Sequence, residues 1–372
     1  MKKKVVFFIE SFSGGGAERV LLTILRNLDM TKFDVIVLVV SNSGVYSREF
    51  HALDVKIVSI LGNRTSILNK VKYKLVYNLL PPEIAIKWVL KGINANTYVS
   101  FIEGYCTKLF SRLPKTTRKL AWVHIDLDAF PWTIAKGIYR DKREEIDTYH
   151  CYDKVIGVSQ QVSNMLVDKY GIQAAQTIYN PIDEDRIKTC SSDISHEEID
   201  KRFFNLVSVG RLTMQKGYDK LIQLMPYMLS VNPNLHLYII GEGEARQKLE
   251  DDIKRLNLQD HVRLLGFMDN PYSMMKNMDL FVCSSIAEGF SLVIAEAMIV
   301  GLPVVSMKCA GPNELLDMGK YGILCSTFDD LRNSILKVSK DSNLLDALKE
   351  KAKERSRFFN TASIVKQIES IL

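Results

Sequence analysis

Six cysteines are present, but no two stand in a CxxC or other metal-ligand spacing, and several lie in apolar runs. That pattern excludes a zinc ribbon and a disulfide framework and suits reduced, mostly buried thiols. No apolar stretch is long enough to span a bilayer, and no cationic segment, apolar run and small-residue cleavage site open the chain. The expectation is a cytoplasmic protein. No complete GxGxxG follows the first predicted strand, and Gly241-x-Gly243 is a lone turn motif, so a dinucleotide cofactor is not expected. Short repeats and low-complexity segments are missing as well.

What is there is an ordinary globular composition. The chain has 372 residues, 47% hydrophobic and 25% charged, enough for two domains each with its own core. Lys4–Ile9 reads as a strand, Ser13–Gly16 as a glycine-rich turn and Ala17–Leu28 as an amphipathic helix. Strand signals recur at Phe33–Val40, Val55–Ile60, Thr97–Ile102, Lys119–Val123 and Lys154–Val158. After a polar stretch, Glu184–Lys201, that reads as a linker, strands return at Phe204–Val209, Leu235–Ile240, Val262–Leu265, Asp279–Cys283 and Val304–Met307, with helical patterns between them. Strands alternating with helices predict an α/β fold of two Rossmann-like, doubly wound domains, with ligand between them at the carboxyl edges of the sheets. The boundaries fall at residues 1–183 and 184–358, and 359–372 carries a last helical pattern.

Two stretches of the second domain carry the chemistry. Ser284–Pro303 runs from a strand through a loop with Glu288 into an apolar helix with Glu296. Ser291 is placed to cap that helix, and Gly301 and Pro303 to end it. A helix start there aims free N–H groups at an anion, and Gly289 lets the backbone approach closely. Gly210–Gly217, GRLTMQKG, sets Arg211 and Lys216 on a glycine-bounded loop after the domain's first strand, a pair suited to clamping a diphosphate. The alternative for the first stretch is a plain capped helix with both glutamates in solvent.

Taken with the IIGEGE turn at Ile239–Glu244, LLGF at Leu264–Phe267, the E-x7-E pair Glu288–Glu296, GGGAERV at Gly14–Val20 and the segment IYNPID, these motifs resemble the retaining glycosyltransferases of family 4, which have the two-domain GT-B fold. The resemblance covers nearly the whole chain. It implies that a nucleotide-sugar is the donor, most simply a UDP-sugar, and that a glycan or polyprenyl-linked glycan is the acceptor, as in capsule or O-antigen assembly. Arg211 and Lys216 would neutralise the pyrophosphate, Glu296 would hold the ribose, and Glu288 would contact the donor sugar. Backbone N–H groups around Phe290, Ser291 and Leu292 would assist, while Gly266 and Phe267 would line the base. In the first domain Gly15 and Gly16 would approach donor phosphate or acceptor, and His124 would lie near the reacting sugar. His124, Arg211, Lys216 and Glu288 form the catalytic set. The terminal helix would cross back to the first domain. Competing readings are a nucleotide-sugar epimerase, a non-catalytic nucleotide-sugar binder and a two-carboxylate glycoside hydrolase built on Glu288 and Glu296.

Two further signals are weaker. Asp126-x-Asp128 can hold a divalent metal, but Arg211 and Lys216 already bring positive charge, so no metal and no cofactor is expected. Between Arg64 and Lys119, eleven basic residues face only Glu83 and Glu103 and are interleaved with apolar and aromatic residues around Trp88. That pattern suits either peripheral contact with an anionic membrane or a solvated basic face. No nucleic-acid motif accompanies the charge, so no nucleic acid is expected as a partner.

Overall fold

The computed structural model describes residues 1–61, 81–193 and 199–372. The chain divides into two units, Met1–Pro181 with Ala362–Leu372, and Ile182–Thr361.

In the first unit, β1 (Lys3–Ser11), β2 (Phe33–Ser41), β3 (Lys56–Ser59), β4 (Thr97–Ser100), β5 (Arg118–Val123), β6 (Lys154–Gly157) and β7 (Ala175–Thr177) form a parallel sheet in the order β3-β2-β1-β4-β5-β6-β7. Val5–Ile9 in β1 are all at most 1% exposed, which is why that run is apolar without alternation: helices cover both faces of a parallel sheet. The helix Gly16–Asn27 buries Val20, Leu21, Ile24 and Leu25. The helix Thr361–Ile371 ends in this unit. Its carbonyls at Leu372 and Ile371 accept from Thr97 Oγ1 (2.9 Å) and the Arg118 guanidinium (2.7 Å), and Glu369 accepts the Asp29 N–H at 2.8 Å. Val365, Ile368 and Ile371 form its buried stripe.

The second unit contains β8 (Phe204–Val209), β9 (Leu235–Ile240), β10 (Val262–Gly266), β11 (Leu280–Cys283), β12 (Val304–Met307) and β13 (Ile323–Cys325), parallel in the order β10-β9-β8-β11-β12-β13. Strand β8 has β9 on one side and β11 on the other, so the topology switches direction there. Loops leaving β8 and β11 at their carboxyl ends flank the crevice where such sheets bind ligands.

The three-residue strands β7 and β13 carry too little pattern to be read from sequence. The expected linker Glu184–Lys201 begins instead as a helix, Glu184–Ser191. Asp183 caps it by accepting the Arg186 N–H at 3.2 Å, and Ile187 is buried. One apolar residue per two turns suffices to dock a short helix, and a composition reading overlooks it.

Candidate functional site

The loops after β8 and β11 are tied together by backbone and side-chain hydrogen bonds. Ile286 N–H donates to Gln215 O (2.9 Å), Gln215 Nε2 to Ala287 O (2.7 Å) and Ser284 Oγ to Lys216 O (2.7 Å). Gly217 is required at this junction: its φ is 64°, and a Cβ would lie 2.3 Å from Ser284 O.

This junction brings Lys216 and Glu288 together. Lys216 Nζ lies 2.5 Å from Glu288 Oε1, which also accepts from Ser285 Oγ at 2.7 Å, and the Glu288 carbonyl accepts the Gly311 N–H at 3.0 Å. Burial disfavours the ammonium, but the Glu288 carboxylate beside it prevails and raises the Lys216 pKa above its ordinary value. Burial also pushes the neighbouring Tyr218 phenol up to about 12. Glu296 is 8% exposed and accepts from the Tyr272 hydroxyl at 3.2 Å. Neither glutamate is a solvated helix-face residue. Arg211, on the same loop as Lys216, is exposed and has no ion-pair partner among the described residues.

Ser291 departs from expectation. It stands at the N-cap of the helix Leu292–Ile299, yet its φ of 63° and ψ of 69° are left-handed, and its side chain makes no capping bond. A left-handed serine cannot fold its hydroxyl back onto the N–H groups of the first turn as an extended cap does. Ser291 is 6% exposed and its Oγ has no hydrogen-bond partner. Of the first turn's N–H groups, that of Ile294 donates to Ser291 O at 3.0 Å, while those of Leu292 and Val293 have no partner among the described residues, and a buried hydroxyl stands unsatisfied beside them. On the helix Ala310–Leu315, which follows β12, Asn313 Oδ1 is likewise buried without a partner among the described residues. Gly311 sits so close to Phe290 that a Cβ would come within 2.4 Å of the Phe290 carbonyl carbon, so the start of the helix Ala310–Leu315 packs directly on the segment before the helix Leu292–Ile299.

Gly266 ends β10 with φ of 77°, and its carbonyl accepts the Gly241 N–H at 2.8 Å. Phe267, next to it, is 39% exposed, unusual for phenylalanine and suited to stacking on a flat ligand.

Gly15, Gly16 and His124 lie in the other unit. Gly15 precedes the helix Gly16–Asn27 as its N-cap, and a Cβ there would meet Glu18 Oε2 at 2.4 Å. His124 follows β5 directly. Its Nε2 lies 2.9 Å from Phe101 O, its ring stacks edge-on against Phe101 at 5.1 Å, and its backbone N–H donates to Glu103 Oε2 at 3.0 Å. Burial lowers its pKa to about 4, so the ring is neutral, with the proton on Nε2 and the lone pair on Nδ1. Asp126 Oδ1 accepts the N–H groups of Asp128 and Ala129, and Asp128 pairs with Lys142.

Parts of the basic stretch are also spent internally. Lys119 is 2% exposed and donates to Leu113 O, while Lys108 pairs with Glu144 at 2.8 Å. Neither can face a membrane. Arg64, Lys70, Lys72 and Lys74 lie outside the described residues. Lys87 and Lys91 are exposed, as are Ile84 and Trp88 on the helix Pro82–Val89. Among the described residues no helix is long and apolar enough to cross a membrane.

Sequence reasoning missed Ser285, Tyr272 and Glu103. Tyr272 lies on a separate four-residue helix with no motif of its own. Glu103 carried a readable signal, an acid immediately beyond a buried strand adjacent to β5.

Two parallel Rossmann-like sheets are the architecture of the GT-B fold, and the comparisons make the chain a glycosyltransferase of that fold. Residues 14–186 match the family described as Glycosyltransferase Family 4, and residues 191–355 match Glycosyl transferases group 1. The chain is 28% identical over 380 residues, covering 98% of both proteins, to a Campylobacter jejuni N-acetylgalactosamine-N,N'-diacetylbacillosaminyl-diphospho-undecaprenol 4-alpha-N-acetylgalactosaminyltransferase. It is 37% identical over 156 residues to the uncharacterised glycosyltransferase MJ1059 of Methanocaldococcus jannaschii, spanning 36% of this chain and 38% of that one. In three dimensions it is similar to Anabaena Alr3699/HepE, solved in complex with UDP and glucose, with a TM-score of 0.79, 21% identity, and coverage of 99% of this chain and 98% of that one. The chain belongs to the family 4 glycosyltransferases.

Proposed function

We propose that this enzyme transfers a sugar, with retention of anomeric configuration, from a UDP-sugar to a hydroxyl of a glycan or polyprenyl-linked glycan in the assembly of a cell-surface polysaccharide such as capsule or O-antigen. The observation that carries the proposal is the switch-point junction: Lys216 paired with Glu288, Arg211 without an ion-pair partner among the described residues, and a helix start whose Leu292 and Val293 N–H groups lie beside the unsatisfied Ser291 hydroxyl. Two cations and a helix N-terminus suit a departing diphosphate, whose growing charge is the main thing a glycosyl transfer must stabilise. Glu288 and Glu296 then serve as acceptors for sugar and ribose hydroxyls, Phe267 lies against the base, and Phe290 and Leu292 contribute backbone. On the family resemblance, Gly15 and Gly16 serve the donor phosphate or the acceptor, and His124 the reacting sugar. Glu288 accepts from both Lys216 and Ser285, which suits a standing acceptor and not the proton donor of a hydrolytic pair.

The Campylobacter relative supports a lipid-diphosphate-linked acceptor, and the UDP and glucose in the Anabaena structure support a UDP-sugar donor. Arg211 and Lys216 supply the charge that a metal supplies elsewhere, so the reaction is metal-independent. The enzyme works in the cytoplasm, with the exposed Trp88, Ile84, Lys87 and Lys91 touching the anionic inner membrane face. The test is product analysis with purified enzyme, a panel of UDP- and GDP-sugars, and acceptors with and without a polyprenyl diphosphate. A product of unchanged anomeric configuration from a UDP-sugar, formed equally in EDTA, is expected. Inversion, turnover with GDP-sugars alone, or loss of activity in EDTA restored by magnesium would each refute its part of the proposal. Liposome flotation at low salt tests the membrane contact.

A further inference from the structure

We propose that Glu103 is a positioning residue for His124, an acceptor-only brace that ties the loop after β5 to the loop after β4. The inference rests on the reading of His124 as a residue beside the reacting sugar.

The geometry is specific. His124 is held by the β4 loop at two points, its ring by Phe101 O at 2.9 Å and its backbone N–H by Glu103 Oε2 at 3.0 Å. That loop is itself fixed, because Ser100 Oγ (3.1 Å) and Thr107 Oγ1 (3.0 Å) both donate to Ile102 O, and Tyr139 donates to Gly104 O at 3.1 Å. Glu103 is 5% exposed. Its carboxyl is satisfied by backbone N–H groups, those of His124 and of Glu103 itself. The titratable groups facing it are Glu10 from β1, Cys106 from the helix Tyr105–Phe110, Glu145 and Tyr149 from the helix Lys142–Tyr149, and His124. None of these is a cation at neutral pH. A carboxylate kept where no cation among these groups neutralises it needs a task that an apolar side chain could not perform. The task here is to present acceptor lone pairs to N–H groups and nothing else.

An acceptor-only site is disturbed by protonation, which turns one carboxyl oxygen into a donor facing an N–H. Burial raises Glu103 to about 7, so this change falls in the neutral range, whereas the His124 ring, lowered to about 4, stays neutral throughout. The brace is therefore tight above neutrality and slack below it, and turnover falls on the acid side through Glu103.

The test compares kcat and KM of the wild-type protein, Glu103→Gln, Glu103→Asp, Glu145→Gln and His124→Ala from about pH 5.5 to about 8.5, with tryptophan fluorescence to verify folding. Glutamine keeps one acceptor but sets an NH₂ against the second N–H. Glu103→Gln should lower kcat on the order of tenfold at alkaline pH, leave KM for the nucleotide-sugar within about twofold, and lose the acid limb near neutrality. Glu103→Asp, which keeps the charge, should recover part of kcat and retain the limb, and Glu145→Gln should retain it too. Wild-type kcat and an unchanged acid limb in Glu103→Gln would overturn the inference, as would loss of the limb in Glu145→Gln alone. Wild-type turnover in His124→Ala would instead remove the underlying reading of His124, and the inference with it.

Discussion

Replacing Glu103 by glutamine should make stability rise more steeply with pH than it does in the wild-type protein. Burial moves His124 from its ordinary 6.5 down to about 4, so between those values the unfolded chain takes up a proton that the folded chain refuses. Stability rises with pH through that window by about 1.4 kcal/mol per unit, about 3 kcal/mol in all. Burial moves Glu103 the other way, from 4.5 to about 7, so the folded chain keeps a proton that the unfolded chain has released. Stability then falls with rising pH at about the same slope and by about the same total. From about pH 4.5 to about 6.5 the two slopes cancel. Glu103→Gln removes the falling contribution, and its stability should climb by about 3 kcal/mol across that overlap relative to wild type. His124→Asn removes the rising one and should fall by a similar amount.

Urea denaturation followed by tryptophan fluorescence reads this out cleanly. The chain has three tryptophans, Trp88, Trp122 and Trp132, and all belong to the unit that contains Glu103 and His124. Only slopes are compared, so the constant cost of placing an amide against an N–H drops out. Wild-type and Glu103→Gln profiles running parallel across the overlap would refute the reasoning, because they would mean that Glu103 ionises alike in the folded and unfolded chain.

Three other outcomes follow from the second unit. Glu288→Ala leaves the Lys216 ammonium, its side chain 16% exposed, without its carboxylate, and should destabilise that unit by about 3 kcal/mol in denaturation. Ser291→Gly relieves a left-handed serine and removes an unsatisfied hydroxyl; it should stabilise by about 1 kcal/mol while raising KM for the nucleotide-sugar, and unchanged stability would mean that the conformation is unstrained. Arg211→Ala should lower kcat by a factor on the order of 10²–10³ yet shift stability by less than about 0.5 kcal/mol, since the side chain is exposed and has no ion-pair partner among the described residues.

Hydrophobic pattern made most of both sheets legible. Phe204–Val209, Leu235–Ile240 and Val304–Met307 form strands at the predicted residues, because continuous β-branched and apolar runs bounded by polar turns leave little choice in a sheet covered on both faces. The strand and helix around Glu288 were legible for the same reason, and the loop Gly210–Gly217 through its glycines. What stayed hidden depends on contacts far apart in sequence. Nothing near Lys216 announces that Glu288, seventy-two residues later, accepts from it. Serine before an apolar run signals a cap, but the signal carries no information about φ, which is why the left-handed Ser291 is not legible in the sequence. Glu103 was counted as a solitary acid in a basic stretch, since burial and the His124 N–H are both tertiary facts.

The Lys216–Glu288 pair also makes a prediction about how donor recognition is coupled. On the proposed reading a diphosphate arriving at Lys216 competes with Glu288 for the same ammonium. The released Glu288 keeps only the Ser285 hydroxyl on the oxygen that Lys216 shared, and an incoming sugar can satisfy it with its own hydroxyls. UDP by itself displaces Glu288 and offers nothing in return, whereas a UDP-sugar does both. Glu288→Gln weakens the competition for Lys216, so UDP should bind this variant as tightly as wild type or tighter. The UDP-sugar should lose affinity, by about 1.5–3 kcal/mol if a hydrogen bond to a charged acceptor is what it forfeits. Calorimetric titration with the two ligands separates these effects. Equal losses for both would mean that Glu288 only holds Lys216 in place for the phosphate, and that the sugar is recognised elsewhere.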